Sequence, residues 1–340
     1  MKELYIIIND RLCKGNSNFY CENKDIQSIL NYFTTKFNLI VFSRYTKNSN
    51  PFRLNNIYNI FSLRPFKVFN IIKIFLSQKK NKKKILIISV TPFNFYLFII
   101  FKYLFDCKFY LYLRSDGYQE YKSILGKNYV WIYHLMFTYM TKYCEIISCD
   151  KKLYKKKCHI LYPSELTHRW SKNNKKNCYS KGMINILYVG RFKIEKGIYS
   201  LIKIFSLMPK NILLRLVGSG DNIELKDKRI KIINFINSET KLINLYDSSN
   251  IVILPSYTEA HPKVIDEALS RLRPVIVFND IKHVINNRYG VFSVQRDVNK
   301  LIQLINSIKN NHSLHSELKK NHLPQKQKFL EDLNKIITFN

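Results

Sequence analysis

The sequence predicts an α/β protein built from two similar domains. Three observations carry this. The chain has 340 residues, and domains usually run to about 100–200. Short apolar runs alternate with helical patterns, which implies parallel sheets covered by helices. The alternation is interrupted once, between residues 151 and 181, by a stretch dense in Lys and Asn.

In the first half, residues 4–8, 38–42, 85–90, 108–113 and 145–149 read as buried strands. Residues 25–33, 95–105 and 129–143 read as helices. Residues 85–105 are strongly apolar, but Thr91-Pro92-Phe93-Asn94 interrupts them and Lys102 follows. A membrane-spanning helix needs about 20 uninterrupted apolar residues, so a strand, a turn and a helix are expected instead. In the second half, strands are expected at 184–189, 212–217, 230–233, 251–254, 274–278 and 291–294. Helices are expected at 197–207, 239–248, 263–271 and 298–308, with a last one near 329–337. The apolar run near the start is too short for a signal peptide and ends in charge.

The 56 Lys and Arg residues against 24 Asp and Glu leave a formal charge of +32. Such a field favours polyanions of several kinds: nucleic acid, an anionic membrane or phosphorylated small molecules. Helix-turn-helix, RNP and zinc-finger patterns are missing, which argues against nucleic acid. The odd count of seven Cys, with no C-x-x-C pair, reads as reduced thiols in a cytosolic protein.

Only nine Gly occur, and Gly182, Gly190, Gly197, Gly218, Gly220 and Gly290 fall in the second half, several at strand ends. Ligands of open α/β sheets bind at the carboxyl ends of strands, and Gly there admits close backbone approach. Gly190-Arg191 with Lys196-Gly197 joins a strand to a helix. Two cations at a helix start suit a diphosphate, although solvated loop cations would look the same. Gly218-Ser219-Gly220 alone reads as an ordinary turn. Glu259 and Glu267, with seven residues between them, bracket the start of a helix expected to begin at Pro262. Pro262 suits the first helical position, and the free N–H groups of the turn that follows, at Lys263 and Val264, could hold a phosphate or sugar hydroxyl. Acceptor-only carboxylates bind hydroxyl groups well.

In this order and context, these motifs resemble the family 4 retaining glycosyltransferases of GT-B fold, most strongly over residues 184–281. The resemblance implies two Rossmann-like domains facing a cleft: 1–165 on the acceptor side, 166–312 holding a nucleotide-sugar donor, and 313–340 crossing back to the first. It implies that Arg191 and Lys196 neutralise the diphosphate leaving group, Glu267 bonds the ribose and Glu259 contacts the transferred sugar. Backbone at Gly190, Gly218, Pro262, Lys263 and Val264 lines the donor, and His261 is placed at its sugar or phosphate. Asp116, in Arg114-Ser115-Asp116-Gly117 after a strand, is placed on the acceptor side, where a plain Asp-Gly turn is the other reading. No Asp-x-Asp pair occurs, so no catalytic metal and no cofactor are expected.

Two departures stand out. Asp10-Arg11-Leu12-Cys13-Lys14-Gly15 replaces the family's paired glycines, and Arg273 precedes Pro274 where glycine is frequent. The expected partners are a nucleotide-sugar donor and a glycan or lipid-linked acceptor, with no nucleic acid. Lysines within 79–84 beside helix 95–105 predict peripheral attachment of a cytoplasmic enzyme to an anionic membrane face. A nucleotide-sugar epimerase of related fold and a catalytically silent membrane scaffold are the other readings.

Overall fold

The structure, a computed structural model, describes residues 2–15, 18–48, 50–55, 59–62, 83–174 and 182–339. The chain forms two compact units, Met1–Glu165 with Lys326–Asn340, and Leu166–Gln325.

Unit 1 is built on β1 (Glu3–Lys14), β3 (Asn38–Tyr45), β5 (Asn59–Ser62), β6 (Lys83–Ile88), β7 (Cys107–Leu113), β8 (Cys144–Ser148) and β9 (His159–Ile160). They pair in parallel in the order β5-β3-β1-β6-β7-β8-β9. The strands are apolar along their length because helices cover both faces of a parallel sheet; Leu4 to Ile8 and Ile85 to Ile87 are fully buried. The helices are α1 (Lys24–Thr34), α2 (Pro92–Leu104), α3 (Gly117–Ile124) and α4 (Val130–Tyr143).

The apolar run at 85–105 resolves as expected into strand, turn and helix. Thr91 caps α2, its hydroxyl accepting from the Asn94 amide at 3.3 Å. The buried Asn94 side chain donates to the Ile88 and Ser89 carbonyls. Among the described residues no helix is long and apolar enough to cross a membrane.

One boundary differs in unit 1: the strand expected over 4–8 runs on through residues 10–14. The pairing of β1 shifts register after Ile7, and the strand then continues to Lys14. There it pairs antiparallel with β2 (Phe19–Cys21), which in turn pairs with β4 (Phe52–Arg53). Alternation of buried and exposed residues is lost at the register shift, so the periodicity gave no sign that the strand went on.

Unit 2 contains β10 (Ile184–Val189), α5 (Ile198–Phe205), β11 (Ile212–Gly218), β12 (Ile230–Asn234), α6 (Glu239–Asp247), β13 (Ile251–Leu254), α7 (Lys263–Ser270), β14 (Val275–Phe278), β15 (Val291–Val294) and α8 (Val298–Asn310). The sheet is fully parallel, in the order β12-β11-β10-β13-β14-β15. Numbered within the unit this is 3-2-1-4-5-6, the doubly wound order whose direction reverses between β10 and β13.

The C-terminal end is divided differently from expectation. Leu314 and Leu318 of α9 (Leu314–Leu318) are buried in the core of unit 2, so the chain stays there beyond residue 313. It re-enters unit 1 at Lys326, where α10 (Lys326–Phe339) begins. Lys326 Nζ lies 3.0 Å from Glu165, which also accepts from Ser28 at 2.9 Å. The two points at which the chain leaves and regains unit 1 are thereby tied to each other and to α1.

The basic connection is anchored on unit 2. Arg271 is buried and bonds Asp247 through both carboxylate oxygens at 2.8 Å. It also donates to the carbonyls of Trp170, Lys172 and Asn173. Removing one partner of a buried pair leaves the other uncompensated, at a cost of about 3–5 kcal/mol. Arg271→Ala is therefore expected to lower the stability of unit 2 by that amount, measured by urea unfolding followed through buried Trp170.

Candidate functional site

The site residues of unit 2 gather at the carboxyl ends of β10, β11 and β13, around the point where the strand order reverses. Gly190 ends the first of these, and its amide donates to the Val217 carbonyl at 3.0 Å. The loop that follows is strapped to the next one: Phe192 N donates to Ser219 O at 2.8 Å, and Asp221 N to Phe192 O at 2.9 Å. Gly218 is required here because a Cβ would collide with the Gly190 carbonyl. Gly197 has φ +68° and precedes α5, and a Cβ there would strike the Pro255 carbonyl.

These contacts place Lys196 against Glu259. Lys196 Nζ donates to Glu259 Oε1 at 2.6 Å, across 63 residues of sequence. The same oxygen accepts from the buried Ser256 hydroxyl at 2.7 Å. His283 Nε2 reaches the Glu259 carbonyl at 2.8 Å. Arg296 fastens the loop from below, donating to Pro255 O at 2.6 Å and to Asp280 and Ser200 at 2.8 Å. Its guanidinium stacks 4.0 Å from the Tyr257 ring centre. Arg191 is exposed beside this network. Its carbonyl accepts from the Tyr188 hydroxyl at 2.7 Å, and burial, reinforced by the Glu259 charge, pushes that phenol's pKa up.

Pro262 is the cap of α7, one position before the first helical residue where it was expected. Lys263 and Val264 open the helix, leaving their amides without intrahelical acceptors. Glu267 lies five residues past Pro262, about 7.5 Å along the axis. Its Oε2 accepts from the Tyr246 hydroxyl at 2.7 Å. Complete burial, with the Glu267 charge adding to it, pushes the Tyr246 pKa well up and keeps that donor protonated.

His261, expected at the donor's sugar or phosphate, is braced from behind by α7 and Arg288. Its side chain is nearly buried, with Nε2 3.0 Å from Asp266. Arg288 reaches the other oxygen of Asp266 at 3.1 Å. Asp266 sits one turn into α7, so it can reach back to the loop and hold the imidazole there. Arg273, which stands where the family often has glycine, is fully buried and donates to the carbonyls of Tyr246 and Asp247 at 3.1 and 2.9 Å. It satisfies the last carbonyls of α6 and thereby steadies the tyrosine that meets Glu267.

In unit 1, Asp116 caps α3, its carboxylate accepting from Gln119 N at 3.2 Å. It follows β7, as expected, and the Asp-Gly pair opens a helix instead of a plain turn. Arg114 pairs with Asp25 at 2.9 Å. Burial raises the Asp10 pKa against the pull of Arg114 and of the Asn23 amide, which bonds it at 2.6 Å.

Ser256, Tyr246, Asp266, His283, Arg288 and Arg296 were not singled out from the sequence. Tyr246, His283, Arg288 and Arg296 each work on a partner in another segment, and no local spacing marks such pairs, whereas Ser256 and Asp266 act within the motif on Glu259 and His261. Among the described residues no group of three or more His, Cys, Asp or Glu side chains is placed to hold a metal ion. The six described Cys are free, and Cys178 lies outside the described residues.

Residues 168–323 match the family model of the glycosyl transferases group 1. That stretch covers nearly all of unit 2. An uncharacterized glycosyltransferase of Haemophilus influenzae is 29% identical over 146 residues, 39% of this chain and 41% of the relative. Another, from Methanocaldococcus jannaschii, is 35% identical over 121 residues, 30% of each chain. The chain thus spans well under half the length of these curated relatives. Sucrose-phosphate synthase of Thermosynechococcus elongatus superposes with a TM-score of 0.71 at 14% identity, covering 99% of this chain and 98% of the other. HepE of Anabaena, in complex with UDP and glucose, superposes with a TM-score of 0.68 at 12% identity, covering 99% of each chain. At those identities the likeness is one of fold, and the fold is the two-unit α/β GT-B class. The sequence likeness to the group 1 glycosyl transferases thus lies in unit 2.

Gly197→Ala tests how the site is assembled. A left-handed alanine costs about 1–2 kcal/mol before any clash, and here the Cβ meets backbone that cannot rotate away. The variant is expected to lose at least about 2 kcal/mol in thermal denaturation.

Proposed function

We propose that the protein is a glycosyltransferase that moves a sugar from a nucleoside diphosphate donor to an acceptor hydroxyl. The observation that carries this reading is the Lys196–Glu259–Ser256 network at the carboxyl ends of β10 and β13, inside the segment that matches the group 1 transferases. HepE, which shares the fold, is described in complex with UDP-glucose; by analogy the donor here is a nucleotide sugar.

In this reading Lys196 and Arg191 meet the diphosphate, whose negative charge grows as the glycosidic bond to it breaks. Fixed cations and amide dipoles stabilise such charge in proportion to its growth. Backbone at Gly190 and Gly218, and the first amides of α7 at Lys263 and Val264, supply further donors. A diphosphate arriving at Lys196 competes with Glu259 for the ammonium, which frees that carboxylate to accept from a sugar hydroxyl. Glu267, oriented by Tyr246, accepts from the ribose hydroxyls. His261, held by Asp266 and Arg288, keeps the loop before Pro262 in place. Asp116 is assigned to the acceptor. Transfer with retention and without a metal completes the reading, as the family 4 resemblance implies. We place the reaction in cell-surface or lipid-linked glycan assembly, at the cytoplasmic face of a membrane.

A thermal-shift panel of nucleotides and nucleotide sugars tests the donor, since a ligand of the native state raises the melting temperature. The expected result is a shift with one nucleoside diphosphate and its sugars. Lys196→Ala should then lower turnover by about 10²–10³-fold. Glu267→Ala should weaken donor affinity by about 10–100-fold, the worth of hydrogen bonds to a charged group. A donor sugar isomerised without acceptor would replace transfer by epimerisation. Absence of both transfer and hydrolysis from every nucleotide sugar would end the proposal.

A further inference from the structure

The helices α2 and α4 lie side by side in unit 1. The Phe95 and Phe98 rings stand 6.0 and 6.2 Å from Tyr139, and the Tyr103 and Tyr139 hydroxyls meet at 2.7 Å. Their inner faces enter the core through Leu97, Phe98 and Phe101, and through Tyr133, Met136 and Met140. Their outer faces carry large apolar side chains in the open. Trp131 is 61% exposed and Leu135 57%, one turn apart on α4. The turn between α3 and α4 adds Ile124, Leu125 and Tyr129, with Ile124 70% exposed. Single exposed apolar residues are ordinary, whereas a run of them on one surface marks an interaction site.

The charge around them has one sign. Residues 92–105 and 121–143 contain Lys102, Lys122, Lys127 and Lys142 and no Asp or Glu. After β8 the loop carries exposed Lys151, Lys152, Lys155, Lys156 and Lys157 against a single Asp150. Tyr154 anchors that loop beside α4, its ring 6.2 Å from Phe137. The nearest acids on the same elements are Asp116 and Glu120, in the first turn of α3.

Exposed Trp, Tyr, Leu and Ile flanked by lysines suit one partner chemistry, the interface of an anionic bilayer. There aromatic rings sit at headgroup depth, and each nearby lysine adds to attraction by anionic lipid. We infer that the α3–α4 turn and the outer face of α4 dock on anionic membrane, with Ile124, Leu125, Tyr129, Trp131 and Leu135 entering the headgroup–acyl boundary. This moves the expected contact. Residues 79–82 lie outside the described residues, and Lys84 donates to the Ile337 carbonyl at 2.6 Å. Helix α2 buries Leu97, Phe98 and Phe101 in the core, and its exposed Tyr96, Tyr103 and Leu104 adjoin the surface of α4 as its margin. The inference deepens the membrane part of the reading above but needs no donor, so its failure leaves the transferase reading standing, and the reverse holds too.

Flotation of the full chain with vesicles of phosphatidylcholine, alone or mixed with phosphatidylglycerol, tests it. Recovery is expected only with the mixed vesicles and should fall with added salt. Trp131 emission should shift to the blue and be quenched by brominated acyl chains, while buried Trp170 stays constant. Trp131→Ser with Leu135→Ser should cut partitioning on the order of tenfold per side chain, with circular dichroism unchanged. Lys122→Glu with Lys127→Glu should weaken binding to the mixed vesicles. Equal recovery with neutral vesicles, or anionic binding indifferent to the Trp131 and Leu135 changes, would overturn it. So would a concentration-dependent dimer, abolished by those changes, that binds no vesicles, because the surface would then belong to a second copy.

Discussion

The site of unit 2 rests on two places where backbone touches backbone. Adjacent parallel strands discharge their loops side by side at the switch point, and the loops must pass within van der Waals distance to form one surface. Gly197 lets the chain turn left-handed against the Pro255 carbonyl, and Gly218 lets the next loop lie on the Gly190 carbonyl. With Cβ atoms there, the loops would be forced apart. Lys196, which precedes the first of these glycines, and Glu259, which follows Pro255 by four residues, would separate with them. The ion pair between them is thus a product of the glycine packing. Ser256, His283 and Arg296 then fix the loop to which the packing has delivered it.

Support for the other carboxylate runs through buried arginine. A guanidinium taken out of water must find acceptors for its donors. Arg273 finds them at the end of α6, on the carbonyls of Tyr246 and Asp247 as well as on its neighbour Arg271. Arg271 finds them on the Asp247 carboxylate and on the chain entering the unit. The end of α6 is therefore held at both its carbonyls and its last side chain, and Tyr246 projects from that fixed end to Glu267. A glycine in place of Arg273 would supply none of these bonds. What looks in sequence like a departure near the motif is, in space, part of what aims it.

The fold was largely legible because parallel strands buried on both faces must be apolar throughout. Ile251–Leu254 and Val275–Phe278 are such runs, and their strands emerged within a residue of expectation. The Gly190, Gly218 and Glu259–Glu267 positions were legible because motif spacing within one loop or helix survives in the sequence. The partners of these residues were not, since Tyr246 reaches Glu267 from another helix and Arg288 reaches Asp266 from beyond β14. The extension of β1 past Ile8 escaped notice for a different reason: edge pairing with β2 needs no apolar alternation, and a register shift erases what there is. The end of unit 2 was placed too early because residues 311–325 are mostly polar, and two leucines, Leu314 and Leu318, decide where that segment packs.

Net charge is the least structured of the signals, and the structure divides it. Arg271, Arg273 and Arg296 are internal fasteners, and Lys326 and Lys84 hold α10 to unit 1 through Glu165 and the Ile337 carbonyl. Where the partner is a carboxylate, as for Arg271, Arg296 and Lys326, the charge is offset locally and contributes little to any outward field. Lys196 is bound to Glu259. The lysines of residues 151–157 and of the α3–α4 turn are exposed and stand next to apolar side chains that are exposed as well. A coding bias toward lysine would scatter charge without regard to its neighbours, and it would not strip two adjacent helices of every acid. The juxtaposition of unpaid charge with open aromatic surface, and not the total of +32, is what carries information about a partner.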